Sequence, residues 1–279
     1  MKNSVHSVWL MPLLSGILIF LMWYGIGQYM VFDKMAADAL SEDEAENVRR
    51  IMLPYPHEIW NALVAEQEAL WLATKSTFTA AITGFIFSVT VGYLIAMLLA
   101  SSLLIKRALY PWVLVLQMTP VVILAPIFVI WLGQGLPSIT AVTFMIGFFP
   151  VVANTTMGLV STDKQLIDLF TICNASKSQE ILLLRMPYSM PYFLTGLKIA
   201  GTLAPIGAIA GDIFVGSSST GAAGLGFMTI VFNSQLKIPA LFATALVACI
   251  LGFIFVGCVN LIHWFALRNW HDSMVKKEN

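Results

Sequence analysis

Six long apolar runs, at residues 8–31, 72–100, 111–132, 138–160, 191–214 and 239–267, alternate with shorter polar stretches along the chain. Each is long enough to cross the hydrocarbon core as an α-helix, which takes about 20 residues. None has the short alternating segments of a membrane barrel. The pattern predicts an all-α membrane protein with about six transmembrane helices. The first run exceeds the apolar core of a cleavable signal peptide and no small-x-small site follows it, so it is expected to remain as an anchor.

Lys and Arg set the expected orientation. With six crossings, Lys2, Lys106, Arg107, Lys164, Lys177, Arg185, Arg268, Lys276 and Lys277 fall on one side, which is therefore read as cytoplasmic, both termini included. The opposite side takes the acidic segment 33–71 and the Gly/Ser-rich stretch 216–226. Three regions result: 1–71 with the first span and the acidic extracytoplasmic segment, 72–267 with the transmembrane core and a cytoplasmic loop at 161–190, and a cytoplasmic tail at 268–279. The acidic segment is read as a solvated charge run, with docking of a soluble binding protein as the alternative, and Arg49 and Arg50 lie well inside a long loop. Small residues recur at every fourth position at Ala80, Gly84, Ser88, Gly92, Ala96 and Ala100, and again at Gly196, Ala200, Ala204 and Ala208. Such stripes let helix backbones approach closely in a bilayer, so both helices are expected inside the bundle.

The loop STDKQLIDLFTICNASKSQEILLLRMPYSMPYF is polar but ordered in its signals. Thr162 with Gln165 has capping-box spacing, and Leu166, Leu169, Phe170 and Cys173 form one apolar stripe. Asn174 stands where a helix ends in a left-handed residue. Ser176 with Gln179 repeats the box, Ile181 to Leu184 supply a second apolar surface, and Pro187 is expected to stop that helix. The result is an elbow of two short helices. Its cations are interleaved with Asp163, Asp168 and Glu180, unlike the basic face of a lipid-surface helix. Docking in a protein groove fits it better, with packing on its own bundle as the bland alternative.

Composition narrows the chemistry. Hydrophobic residues make up 58% and charged residues 11%, and the formal net charge is zero. Without a basic block there is no footprint for nucleic acid, which is not expected as a partner. Cys173, Cys249 and Cys258 form no close pair, and the four histidines are scattered, so neither a disulfide framework nor a metal site is expected. The chain has no G-x4-G-K-[ST] phosphate loop, so ATP is expected on another polypeptide and no cofactor in this one. Glu66 and Glu68 have no nucleophile beside them. Asp212, Asn260 and His263 are too separated for an intramembrane enzyme.

A few polar groups lie in the spans. Asp212, at the outer end of the fifth, either lines a path or gate or holds the following loop. Gln117, Thr119 and Asn154 are candidates for a path or for interhelical hydrogen bonds. Pro120, Pro126 and Pro150 are expected to kink helices, and Trp23, Trp131 and Trp264 to sit in the interfacial belts.

The elbow's residues DLFTICNASKSQEILLLRMP resemble the cytoplasmic signature loop of ABC-importer permeases, Glu-Ala-Ala, three residues, Gly, nine residues, Ile-x-Leu-Pro. Asp168 takes the Glu position, Asn174 the Gly, Leu184 and Met186 the aliphatics and Pro187 the Pro, while Leu169 and Phe170 replace both alanines. LPYPHEIW at 53–60, MTPVVILAPIFVIWLGQG at 118–135, GFFPVVANTTMGL at 147–159, MPYSMPYFLTGLKIA at 186–200 and GLGFM at 224–228 resemble the nitrate/sulfonate/taurine-type subfamily, in its order. The resemblance implies a type I importer fold in the bacterial cytoplasmic membrane. It implies coupling to two copies of a cytoplasmic ABC ATPase through Asp168, Phe170, Asn174, Ala175, Ser176, Gln179, Ile181 and Pro187. It further implies a second permease copy in a homodimer and an extracytoplasmic solute-binding protein. The expected cargo is a small organic nutrient, a sulfonate or a heterocyclic vitamin precursor, moved by alternating access. Nitrate or another small inorganic anion on the same machinery is the alternative, and a non-ABC anchor or channel subunit the third reading.

Overall fold

A computed structural model of the chain describes residues 4–38, 40–216 and 223–267. Regular structure among the described residues is helical throughout. The chain forms two compact units, one from residues 1–70 with 229–246 and the other from residues 71–228 with 247–279. The cations Lys2, Arg268, Lys276 and Lys277, the tail 268–279 and most of the Gly/Ser-rich stretch lie outside the described residues.

In the first unit the span α1 (Ser4–Ala37) is followed by α2 (Glu42–Met52) and α3 (Pro56–Ala65). Ser41 starts α2 with a full capping box, its hydroxyl accepting from the Glu44 amide and the Glu44 carboxylate accepting from the Ser41 amide. Pro56 opens α3, where its missing N–H costs nothing, and Glu58 reaches back to accept the Tyr55 amide at 2.7 Å.

Arg49 fastens these two helices together. It is 1% exposed, and its guanidinium forks onto both Glu58 oxygens at 3.0 and 3.1 Å. It also donates to the Leu53 carbonyl at 3.0 Å and lies 3.7 Å above the Tyr55 ring. A charge with so little access to water persists only when carboxylates and carbonyls surround it. Burial works against the charge on Glu58, but the Arg49 fork and the Tyr55 amide outweigh it and hold this carboxyl below the usual range. Tyr24 of α1 stacks on Tyr55 at 4.9 Å and its hydroxyl meets His57 Nδ1 at 3.0 Å. Trp23 Nε1 donates to the Pro54 carbonyl at 3.0 Å, so this indole is a fastener between segments. The acidic segment is thus helical around one buried cation, while Glu42, Asp43 and Glu44 in the first turn of α2 remain exposed to solvent.

The remaining helices are α4 (Gln67–Ser101), α5 (Leu103–Met118), α6 (Val121–Leu132), α7 (Leu136–Val160), α8 (Lys164–Ile172), α9 (Lys177–Gln179), α10 (Met186–Val215), α11 (Leu225–Ser234) and α12 (Ile238–Leu267). Among the described residues, five helical stretches have the length and apolarity to cross a membrane: Leu10–Ala37, Gln67–Ser101, Leu136–Val160, Lys177–Val215 and Ile238–Ala266. The sixth expected span, 111–132, is broken. α5 and α6 meet at a bend of 106°, because Thr119 precedes a proline and takes an extended conformation, with ψ at 124°. Pro120 therefore sits at the break, as the N-cap of α6, not inside a helix.

The core of the second unit follows the small-residue stripes. Ala80 and Ala96 of α4 are buried, as are Ala200, Ala204 and Ala208 of α10. Between Ala80 and Ala96, Gly84 lies so close to Thr143 of α7 that a Cβ would overlap its side chain. Ser88 donates to the Phe144 carbonyl of α7 at 2.8 Å, and Thr83 meets Thr140 at 3.1 Å. Close backbones joined by short polar side chains hold these spans where lipid offers no hydrophobic drive.

Candidate functional site

The elbow begins where α7 ends at Val160. Thr162 was the expected cap of the next helix, but its hydroxyl turns back toward the Leu159 carbonyl at 3.4 Å. Asp163 caps α8 instead, accepting the Gln165 amide at 2.9 Å. An aspartate also suits the positive end of the helix dipole.

The far end of α8 matches its sequence signals. Asn174 has φ at 54°, the left-handed conformation that asparagine tolerates. The Ala175 amide returns to the Phe170 carbonyl at 3.0 Å and the Asn174 amide to Thr171 at 3.0 Å, closing the final turn. Ser176 and Gln179 form the second capping box, with the Ser176 amide bonded to Gln179 Oε1 at 2.8 Å.

Pro187 does not stop the second arm. The helix continues from Lys177 to Val215, passing through a π-helical turn over Glu180–Arg185. There the Met186 amide bonds to Ile181, five residues back, and the wide turn gives Pro187 room it would lack in a tight α-helix. The elbow is therefore one short free helix joined to the first turns of a span.

None of the residues of α8 is buried. Ile172 is 78% exposed, and Leu169 and the acidic Asp168 are also exposed, with Phe170 half-buried. On the second arm, Leu182 and Leu183 are exposed and Ile181 half-buried. A helix capped at both ends, with unburied apolar side chains on it, is a rigid surface fit for a groove in another protein.

The sequence reading missed the charges beneath this surface. Glu180 is 6% exposed and accepts from Arg185 Nη2 at 2.6 Å and from Lys177 Nζ at 3.1 Å. Five-residue spacing gives no helical-face signal, so the Glu180–Arg185 bond was invisible without the π turn.

Asp212 is completely buried. One carboxylate oxygen accepts the Thr77 hydroxyl at 3.1 Å and the other the Gly224 amide at 3.2 Å. Thr77 in turn accepts the Leu225 amide at 2.8 Å. The carboxylate thus binds the start of α11 to α4 and α10. Gly224 lies so close that a Cβ there would fall on the Asp212 carboxylate.

Gln117, Thr119, Asn154 and Asp212 stand in different surroundings. Asn154 lines a cleft of about 250 Å³ between α5 and α7, beside Lys106, Tyr110 and Thr156, and its amide donates to the Pro150 carbonyl at 2.8 Å. Thr119 donates to the Val115 carbonyl at 3.1 Å beside the bend, and Gln117 is exposed on α5. Cys173, Cys249 and Cys258 are free thiols, all exposed.

Residues 88–263 match the family model described as the binding-protein-dependent transport system inner membrane component. The formylaminopyrimidine transport permease protein ThiX of Halalkalibacterium halodurans is 36% identical over 204 residues, 73% of this chain and 80% of the relative. The riboflavin transport system permease protein RibX of Chloroflexus aurantiacus is 29% identical over 209 residues, 74% of this chain and 76% of the relative. The nitrate import permease protein NrtB of a Synechocystis species is 28% identical over 195 residues, 70% and 66% of the two chains. With its helical spans, its elbow and these matches, the chain belongs to the inner membrane components of binding-protein-dependent transport systems, as a type I ABC importer permease of the nitrate/sulfonate subfamily.

Proposed function

We propose that this chain works as a homodimer with two cytoplasmic ABC ATPases and one extracytoplasmic binding protein, importing a heterocyclic vitamin precursor. The observation that carries the reading is α8, a helix held at both ends with none of its residues buried. Each ATPase docks on Leu169, Phe170 and Ile172, with Asp168 beside them and Asn174 and Ser176 fixing the angle to the second arm. Burying two or three such apolar side chains contributes about 1.5–3 kcal/mol each, enough to transmit force through a small contact. ATP-driven closure of the motors shifts the elbows and rocks the spans fused to them, alternating access to a central path. Both termini and the elbow face the cytoplasm. Asn154, with Lys106 and Tyr110 in the same cleft, lines the inner part of the path, with Gln117 and Thr119 above it. Asp212 acts as the strut of the outer loop.

The cargo follows the relatives named for transport of formylaminopyrimidine and riboflavin, and the identity to the first of these is 36%. The test is reconstitution of the chain with its ATPase and binding protein in proteoliposomes, with uptake of labelled formylaminopyrimidine, riboflavin, an alkanesulfonate and nitrate measured in parallel. ATP-dependent uptake of a heterocycle is expected. Uptake confined to nitrate or the sulfonate replaces the cargo, and solute flux indifferent to ATP removes the importer reading.

A further inference from the structure

Glu180 and Arg185 are five positions apart, a spacing that in an α-helix sets two side chains about 140° apart around the axis. They bond nevertheless, because the helix is π-wound over Glu180–Arg185 and i→i+5 bonding brings residues five apart toward one face. Arg185 Nε and Nη2 donate to the same Glu180 oxygen at 2.8 and 2.6 Å, and Nη1 donates to the Leu159 carbonyl at 3.3 Å. The side chains of Glu180 and Arg185 are 8% and 20% exposed, whereas that of Lys177, on the other Glu180 oxygen, is 89% exposed. Solvent screens the lysine pair, so the arginine holds the carboxylate.

Leu159 stands one residue before the end of α7, and its carbonyl is among the last four that a helix leaves without an internal partner. A guanidinium there meets the negative end of the helix dipole. One side chain therefore binds the second arm of the elbow, the root of α10 and the terminus of α7. The elbow has no comparable fastening within α8, whose side chains are unburied.

We propose that the Glu180–Arg185 pair, kept in register by the π turn, gears the elbow to the ends of α7 and α10 together, so that a displacement of α8 moves both spans instead of being absorbed in the elbow. The proposal rests on the coupling role given to the elbow above. Both are positioning residues, since neither is placed against solute or nucleotide. The forked head of Arg185 is required because a lysine ammonium reaches either the carboxylate or the Leu159 carbonyl but lacks the geometry to fix both.

The test uses the full transporter in proteoliposomes, with ATP hydrolysis and solute uptake measured on the same samples for the wild type, Arg185→Lys and Glu180→Gln. Both variants are expected to retain the ATPase and most of its hydrolysis while uptake per ATP falls by about ten-fold. A purely structural role lowers hydrolysis and uptake in equal proportion. That result, or an unchanged ratio, overturns the proposal. If Glu180→Gln fails to assemble, Glu180→Asp, which keeps the charge and shortens the reach, is judged by the same ratio. A wild-type chain that binds no ATPase removes the coupling role and this proposal with it; a coupled wild type with fully coupled variants removes only the proposal.

Discussion

Thr77 and Asp212 stand 135 positions apart in the chain and bond directly at 3.1 Å, both sealed from solvent. Asp212→Ala leaves the Thr77 hydroxyl and the Gly224 amide without their acceptor, and each unpaired buried group costs about 1–3 kcal/mol. Thr77→Val strands the Leu225 amide in the same way. The two losses overlap, so the double variant is expected to fall short of their sum by about 0.5–3 kcal/mol. Thermal unfolding of the four proteins in detergent measures this, and additive losses would show that the two residues do not act as a unit.

Gly224 gives a sharper test of the same corner. A methyl group at this position overlaps the carboxylate of the fully buried Asp212 and comes within overlap distance of the Thr77 hydroxyl as well. Gly224→Ala is therefore expected to reduce folded protein strongly, whereas Gly16→Ala, where a Cβ meets nothing within 4 Å, is expected to leave yield unchanged. Size-exclusion profiles of the two variants decide it.

The cap formed by α2 and α3 is expected to loosen in acid. Glu58 has a folded-state carboxyl below its ordinary value, so its contribution is complete above the unfolded carboxylate pKa and is lost as pH falls through the lowered folded value. Hydrogen exchange across residues 45–60, followed from neutral pH into that acid window, should show protection disappearing there. Glu58→Gln should leave the cap weakened throughout, with only the pH dependence that Glu44 of the α2 capping box supplies. Protection of the wild type that persists unchanged in acid would contradict this.

At the elbow, Asn174 occupies left-handed backbone that a β-branched residue enters only at a cost of about 1–2 kcal/mol. Asn174→Val is expected to abolish uptake while the chain still inserts, and Asn174→Gly to keep it. Asp168→Lys, which reverses charge on the exposed face, is also expected to abolish uptake. Transport assays with an insertion control separate the backbone effect from the surface effect.

Apolar length made the spans legible, and local hydrogen-bonding chemistry did the same for the Asn174 turn and the Ser176 box. The latter signals involve residues within five positions of one another. Where the reading went astray, the deciding partner was more distant, the helix was not α-wound, or two adjacent residues competed for one role. Pro187 looked like a stop because the π turn that accommodates it leaves no periodic signature. Thr162 lost the cap to Asp163 because both are good caps in adjacent positions. Arg49 looked solvated because Glu58, nine positions away, carries nothing in its spacing that announces a buried fork. Asp212 was correctly placed near a helix end, but Thr77, its partner from another span, was not foreseeable from the pattern of either helix.

The corner between α5 and α6 carries one more consequence. A turn of 106° interrupts the backbone ladder between α5 and α6; the Thr119 amide and hydroxyl cover the Leu116 and Val115 carbonyls, and fatty-acyl chains satisfy none of the groups left over. Any group left over at that corner is served by water or by protein. Thr119 and Pro120 mark a wetted or protein-covered patch amid otherwise oily surroundings, and a thiol introduced at Thr119 offers a direct probe of whether water reaches this corner.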